Sequence, residues 1–114
     1  MEFLKKKRVI MIFLVMFGVS ASAQITPSKV FETSYTKEAA GDYKGAINEI
    51  IGLNGFDYHK SLRLGWLYYL EKNYNESIRY YEQAIKLRPK AVEALLGLCN
   101  PLEAQKKNDL LGTT

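Results

Sequence analysis

Between Tyr58 and Leu87 the apolar residues fall on two stripes with helical spacing. Leu64, Leu67 and Tyr68 recur on one side of a first segment, about Asp57 to Glu71. Tyr74, Ser77, Ile78, Tyr81, Ala84, Ile85 and Leu87 form an i, i+3, i+4, i+7 stripe, which predicts a second helix over Tyr74–Leu87. Lys72-Asn73 makes the turn between them, and Pro89, which has no N–H to continue the ladder, stops the second helix. Each segment makes a helix of roughly 20 Å. One such pair cannot cover its own apolar stripes, so it needs further pairs stacked beside it.

Weaker copies of the pattern stand on both sides. Thirty-four residues on, Ser61 maps to Leu95, Leu64 to Leu98, Gly65 to Cys99 and Tyr68 to Leu102, predicting a helix over Ala91–Gln105. Pro101 inside it removes one backbone hydrogen bond and is expected to kink it. After Lys106-Lys107 only one turn of a further helix is present, Asn108 to Leu111, so residues 108–114 read as a C-terminal stub. The array is therefore expected to be a truncated copy of a longer one, or else to end in an atypical cap. Upstream, Gly41-Asp42-Tyr43-Lys44-Gly45-Ala46-Ile47 parallels Lys72-Asn73-Tyr74-Asn75-Glu76-Ser77-Ile78 at an offset of 31, with the shortening placed at Asn54-Gly55. The helix before it, about Ser28 to Ala40, has Thr33, Ser34 and Lys37 in place of Leu64, Gly65 and Tyr68, and Thr26 or Ser28 as its cap.

Leu64-Gly65-x-x-Tyr68, then Ser77-x-x-x-Tyr81, Ala84 and Pro89, together with the 34-residue period, resemble a tetratricopeptide repeat. The resemblance covers about residues 28–107. It divides a domain over 24–107 into a degenerate repeat (28–57), a clear one (58–91) and a partial one (92–111). It implies an all-α fold, a right-handed helical-repeat solenoid of antiparallel helix pairs with about 2.5 repeats. In that fold Leu64, Gly65, Tyr68, Ser77, Tyr81, Ala84 and Pro89 hold the repeat together. The first helix of each pair lines a concave groove, which here implies His59, Leu62, Arg63, Trp66, Tyr69 and Leu70 from the central copy. Phe31, Tyr35 and Glu38 join from the first copy, and Glu93, Leu96, Asn100 and Glu103 from the third. Arg63, Trp66 and Tyr69 form the expected centre, being residue types favoured in binding hot spots. Trp66 either meets the partner or packs against the neighbouring first helix. A terminal-carboxylate clamp, which some members build from Lys and Asn four apart, falls here on Phe31 and Tyr35, leaving Asn100 alone. An apolar peptide or helix suits the groove better.

The chain front has its own pattern. Lys5, Lys6, Lys7 and Arg8 precede an apolar run from Val9 through Val19, and Ser20-Ala21-Ser22-Ala23 follows. Basic, apolar, then small residues is the order of a secretory signal peptide, over residues 1–23, with cleavage expected after Ala23. The run is too short for a membrane-spanning helix of about 20 apolar residues, although a retained anchor is the competing reading. The protein is then expected to be exported, periplasmic or secreted, and to meet the membrane only through this segment.

That segment also carries most of the charge asymmetry. The whole chain is +4; without residues 1–23, 12 basic residues face 11 acidic ones. Nucleic-acid binding, which needs clustered cations, loses its support, since Lys86, Arg88 and Lys90 lie at a helix end and complement its dipole. Cys99 is the sole cysteine, so no internal disulfide forms, and it is expected to pack where Gly65 packs in the central copy. His59, the only histidine, has no metal-ligand or triad partners at recognisable spacing. No enzyme, cofactor or metal role is expected. The leading expectation is a scaffold holding a protein or peptide partner in its groove. The alternative is a structural, self-associating fragment of a longer array, joined through its C-terminal edge.

Overall fold

The computed structural model describes residues 26–112, which fold as five helices: α1 (Pro27–Ala39), α2 (Tyr43–Ile51), α3 (Asp57–Leu70), α4 (Tyr74–Leu87) and α5 (Val92–Leu110). Each helix packs on the next in chain order, and α3 also meets α5 across α4. The result is an all-α helical-repeat solenoid of two pairs and one further helix. The export segment read in residues 1–23 lies outside the described residues.

Local chemistry sets the helix ends. Thr26, rather than Ser28, caps α1: its side chain accepts from Lys29 N at 3.3 Å, with Pro27 just inside the first turn. The two turns that close the pairs are copies of each other. Gly41 (φ 81°) and Lys72 (φ 65°) both take the left-handed conformation. In the first turn Asp42 N donates to Lys37 O and Gly41 N to Glu38 O; in the second Asn73 N donates to Tyr68 O and Lys72 N to Tyr69 O. This doubled closure satisfies the last carbonyls of each helix. Asp42 and Asn73 then cap the following helices through Gly45 N and Glu76 N.

The helix crossings obey the same 31-residue offset. Ser77 Oγ donates to Gly65 O at 2.6 Å across the α3–α4 crossing, and Ser34 Oγ donates to Ala46 O at 3.0 Å across α1–α2. Each crossing joins a hydroxyl to a small residue, but the two have exchanged helices. One turn further along, Tyr68 stacks on Tyr80 at 5.5 Å, and in the first pair Lys37 bonds Glu49 at 2.7 Å. The first pair thus keeps the spacing of the second with polar contacts replacing aromatic ones. That is why α1 lacks a clear apolar stripe yet occupies the expected place.

Two small cores result. Ala46, Ile47, Ile50, Leu64 and Leu67 fill the space between α1, α2 and α3. Tyr58, Ala84 and Ala94 join α3, α4 and α5. Tyr81 is the bolt of the second crossing. A Cβ on Gly65 would stand 2.8 Å from its ring, and one on Gly97 would stand 2.4 Å from it. Both helices can approach only because these residues have no side chain.

Two helix ends differ from the pattern. Helix α2 stops at Ile51, before Asn54-Gly55, and the loop that follows is held by Lys60 Nζ donating to Leu53 O at 2.9 Å. Helix α5 continues to Leu110 rather than ending at Gln105, so Asn108 to Leu110 extend the same helix instead of starting another. Pro101 lies within it, fully buried. Cys99 is exposed, with its thiol directed to Leu95 O, and is not a packing residue. The α5 positions matching Ser61, Gly65 and Tyr68 have no helix over them among the described residues, and Leu95 and Leu102 stand open beside Cys99.

Candidate functional site

Where α1 and α3 run side by side, their shared face forms a hollow of about 650 Å³. Phe31, Tyr35 and Glu38 come from α1, and His59, Leu62 and Trp66 from α3. The first turn of α1 and the residue just before α3 close the near end, through Pro27, Ser28 and Phe56. The volume matches pockets that hold a small ligand or a few side chains of a peptide.

A buried polar layer forms the floor. Arg63 does not project from the centre of the groove, as its helix position predicts; it is only 7% exposed. Its Nε and Nη2 donate to Ser34 Oγ at 3.3 and 3.1 Å, and its Nη1 donates to Glu38 Oε1. Trp66 Nε1 donates to the other Glu38 oxygen at 3.1 Å. Above, the Tyr35 ring lies 4.0 Å from the guanidinium carbon. The physical reason for the inward turn is Ser34. A hydroxyl at the α1 crossing gives a buried guanidinium a partner that an apolar residue there would not, and Glu38 one turn later supplies the counter-charge. Arg63 is therefore a floor residue that joins α1 to α3.

This layer sets the electrostatics of the hollow. The buried guanidinium is neutralised by Glu38, and both oxygens of that carboxylate are engaged. Neither charge of the pair remains aimed at an incoming ion. What the hollow offers is ring and aliphatic surface: Phe31, Leu62 and Trp66 on the walls, Tyr35 and Phe56 at the rim, 57% and 53% exposed. Trp66 bonds the neighbouring first helix through its Nε1, while its ring lines the hollow and leans on Tyr69 at 5.6 Å.

Phe56 has no place in the repeat pattern, yet it belongs to the site. It sits at the N-cap of α3 with φ 55° and ψ 36°, left-handed backbone that a bulky residue adopts only against resistance, and α3 has no side-chain cap there. Such conformations cluster at functional positions because the surroundings must hold them. Gly55 before it, also at positive φ (81°), is the one local sign of an unusual turn.

Tyr69 and Asn100 do not join this hollow. They line a second one of about 420 Å³ between α3 and α5, together with Glu103 and Lys107. The groove expected as one surface is thus two hollows separated by the Trp66–Tyr69 contact. Leu64, Ser77 and Ala84 are fully buried, Gly65 and Tyr81 buried, Tyr68 half-buried, and Pro89 exposed in the turn after α4.

Residues 61–91, from the second turn of α3 to the turn holding Pro89, match the family model described as tetratricopeptide repeat. No curated protein and no solved structure matches the chain. The match supports a scaffold for protein–protein interaction, a class that is typically non-catalytic.

Proposed function

We propose that this protein is an exported scaffold that binds a protein partner by seating one apolar segment in the α1–α3 hollow. The observation that carries the proposal is the aromatic lining over a self-neutralised floor. Apolar anchors gain from leaving water there, whereas a free carboxylate or phosphate meets a guanidinium already paired. The absence of a Lys–Asn clamp at Phe31 and Tyr35 points the same way. An amphipathic helix with anchors at i, i+3 and i+4 has the right shape. Export rests on the order of residues 5–23, and the exported chain is expected to begin at Gln24; N-terminal sequencing that finds Met1 on the exported protein would favour the anchor.

The binding proposal is tested by selecting peptides from a displayed random library on the purified chain. The counter-screens are Tyr35→Ala and Leu62→Asp. The expected winners share apolar or aromatic residues three and four apart and lose affinity by roughly tenfold or more on both counter-screens. Winners with a common acidic terminus, or with unchanged affinity for both variants, would defeat the proposal.

A further inference from the structure

Asn54 and Gly55, where the sequence places the shortening of the first repeat, lie exposed in the loop between α2 and α3. The loop is pinned on either side of them. Lys60 Nζ donates to Leu53 O at 2.9 Å, and Lys60 N donates to Phe56 O at 2.8 Å. Between these two bonds the Gly55 N–H and the Asn54 side chain have no hydrogen-bond partner among the described residues. Gly55 has φ 81°, and nothing lies within 4 Å of where a Cβ on it would stand. An unprotected amide nitrogen, on a residue without a side chain, thus follows directly on an asparagine in open space.

That arrangement favours one reaction. The Gly55 nitrogen, once its proton has passed to hydroxide, attacks Asn54 Cγ. The N–Cγ bond forms, the Cγ–Nδ2 bond breaks, and Nδ2 leaves as ammonia after taking a proton from water. The product is a five-membered cyclic imide, which water opens at either of its two carbonyls. Opening at Cγ gives aspartate. Opening at the main-chain carbonyl breaks the original peptide bond and leaves the chain running through Cγ. That form is isoaspartate, with one more carbon in the backbone and a free carboxylate. The sum is an amide and water going to an acid and ammonia, with no oxidant or reductant. The other asparagines lack one requirement or another. Asn100 precedes Pro101, which has no N–H, and the Glu76 N–H after Asn75 is held by Asn73. Asn48 and Asn108 lie inside helices, and Asn73 precedes the bulky Tyr74.

We propose that Asn54 is a site of spontaneous deamidation, and that its isoaspartate form weakens the α1–α3 hollow by releasing Phe56. The second half rests on the reading of that hollow as the binding site. Phe56 stands two residues on, its ring at the rim and its backbone left-handed at φ 55°. Such a backbone persists only while its surroundings hold it. The Phe56 side chain is exposed and its carbonyl is tied to Lys60 N, so the restraint comes through the pinned chain from Leu53 to Phe56. An added backbone carbon slackens that chain, Phe56 returns to ordinary backbone, and its ring leaves the rim. Aspartate adds the same charge without the carbon and leaves the ring in place.

The test holds the purified full chain in warm, mildly alkaline buffer and follows it by peptide mass mapping, with an isoaspartyl-specific methyltransferase to mark isoaspartate. Asn54→Asp and Asn54→Gln are carried alongside, since glutamine would have to close a six-membered ring, which forms far more slowly. Asn54 is expected to convert ahead of every other asparagine, mostly to isoaspartate, while Asn54→Gln stays unchanged at that position. The Lys60 amide, which bonds Phe56 O, should exchange with solvent faster in the aged chain than in the fresh one, and no faster in Asn54→Asp. A selected apolar peptide should bind the isoaspartate form roughly tenfold more weakly, the loss expected without the rim ring. On Asn54→Asp, a surface change, it should bind within roughly twofold of the parent. Mapping and exchange need no partner, so a fresh chain that binds no peptide defeats the binding proposal while these two still decide the inference. An Asn54 that converts no faster than Asn48 or Asn75 overturns the inference. So does an isoaspartate form whose Lys60 exchange or peptide affinity matches the fresh chain, or an Asn54→Asp variant that loses as much affinity as the isoaspartate form.

Discussion

Phe56 allows backbone strain and ligand contact to be separated. Its left-handed backbone costs a non-glycine residue about 1–2 kcal/mol, and the cost is the same for Phe and Ala. Its ring is 53% exposed, so removing it forfeits about 1 kcal/mol of burial. Phe56→Ala loses the ring and keeps the strain, and should be destabilised by about 1 kcal/mol. Phe56→Gly loses the same ring but relieves the strain, offset by roughly 0.5–1 kcal/mol of extra freedom in the unfolded chain. Its stability should stay near that of the parent, and about 1 kcal/mol above that of the alanine variant. Urea unfolding reads the difference as a midpoint shift of roughly 0.5 M at slopes usual for a small domain. For binding the two variants should be alike, each losing roughly tenfold for a selected peptide, because both lack the rim ring. If Phe56→Ala is as stable as Phe56→Gly, the left-handed cap is not strained. If peptide affinity is unchanged in both, Phe56 is not part of the site.

Three other perturbations address the floor, the crossing and the ionisable core. Glu38→Ala leaves the Arg63 guanidinium buried without its counter-charge and Trp66 Nε1 without its acceptor, and should cost about 2–4 kcal/mol in urea unfolding, while Arg63→Leu should cost clearly less. Gly97→Ala should lower stability by about 1–2 kcal/mol, because overpacking against Tyr81 exceeds the gain in helix propensity; in a Tyr81→Leu background the same change should become stabilising. Burial raises the Tyr81 hydroxyl pKa to about 12, so the folded state holds its proton where the unfolded chain has lost it. Stability is then full below about pH 10 and falls between there and pH 12, by roughly 2–3 kcal/mol from this residue, a slope that Tyr81→Phe should reduce in denaturant titrations across that range. Tyr58 and Tyr68, raised in the same direction chiefly by burial, add to the wild-type slope.

How much is legible in the chain depends on where the information is stored. Helices α3 and α4 are readable almost to the residue, because their packing is carried by apolar periodicity and by Pro89. Helix α1 is placed correctly although its stripe is poor, because Gly41-Asp42 repeats the turn chemistry of Lys72-Asn73. What cannot be read is anything that depends on a partner distant in sequence. Arg63 looks like a surface residue until Ser34 and Glu38, 29 and 25 positions earlier, are seen to receive it. Ser34 itself looks like a defect in the repeat, since the exchange of hydroxyl and small residue between helices leaves no mark in either helix alone. Gly97 passes unnoticed because the repeat register points to Cys99 two residues on, whereas the ring of Tyr81 needs the space at Gly97. The site is legible as a set of helix positions, and its division into two hollows is not, because that follows from the Trp66 and Tyr69 rings meeting each other.

Trp66 is the only tryptophan of the chain, and its ring lines the α1–α3 hollow, so its emission reports occupancy of that hollow. The most direct test of the account is to titrate a selected apolar peptide, itself free of tryptophan, into the purified chain while following both heat and Trp66 emission. An occupied hollow predicts an emission shift toward the blue that saturates with the dissociation constant found by calorimetry, and the loss of both signals together in Leu62→Asp under conditions where its helical signal is retained. Calorimetric binding with no change in Trp66 emission, or binding that survives in Leu62→Asp, would place the partner elsewhere and contradict the account.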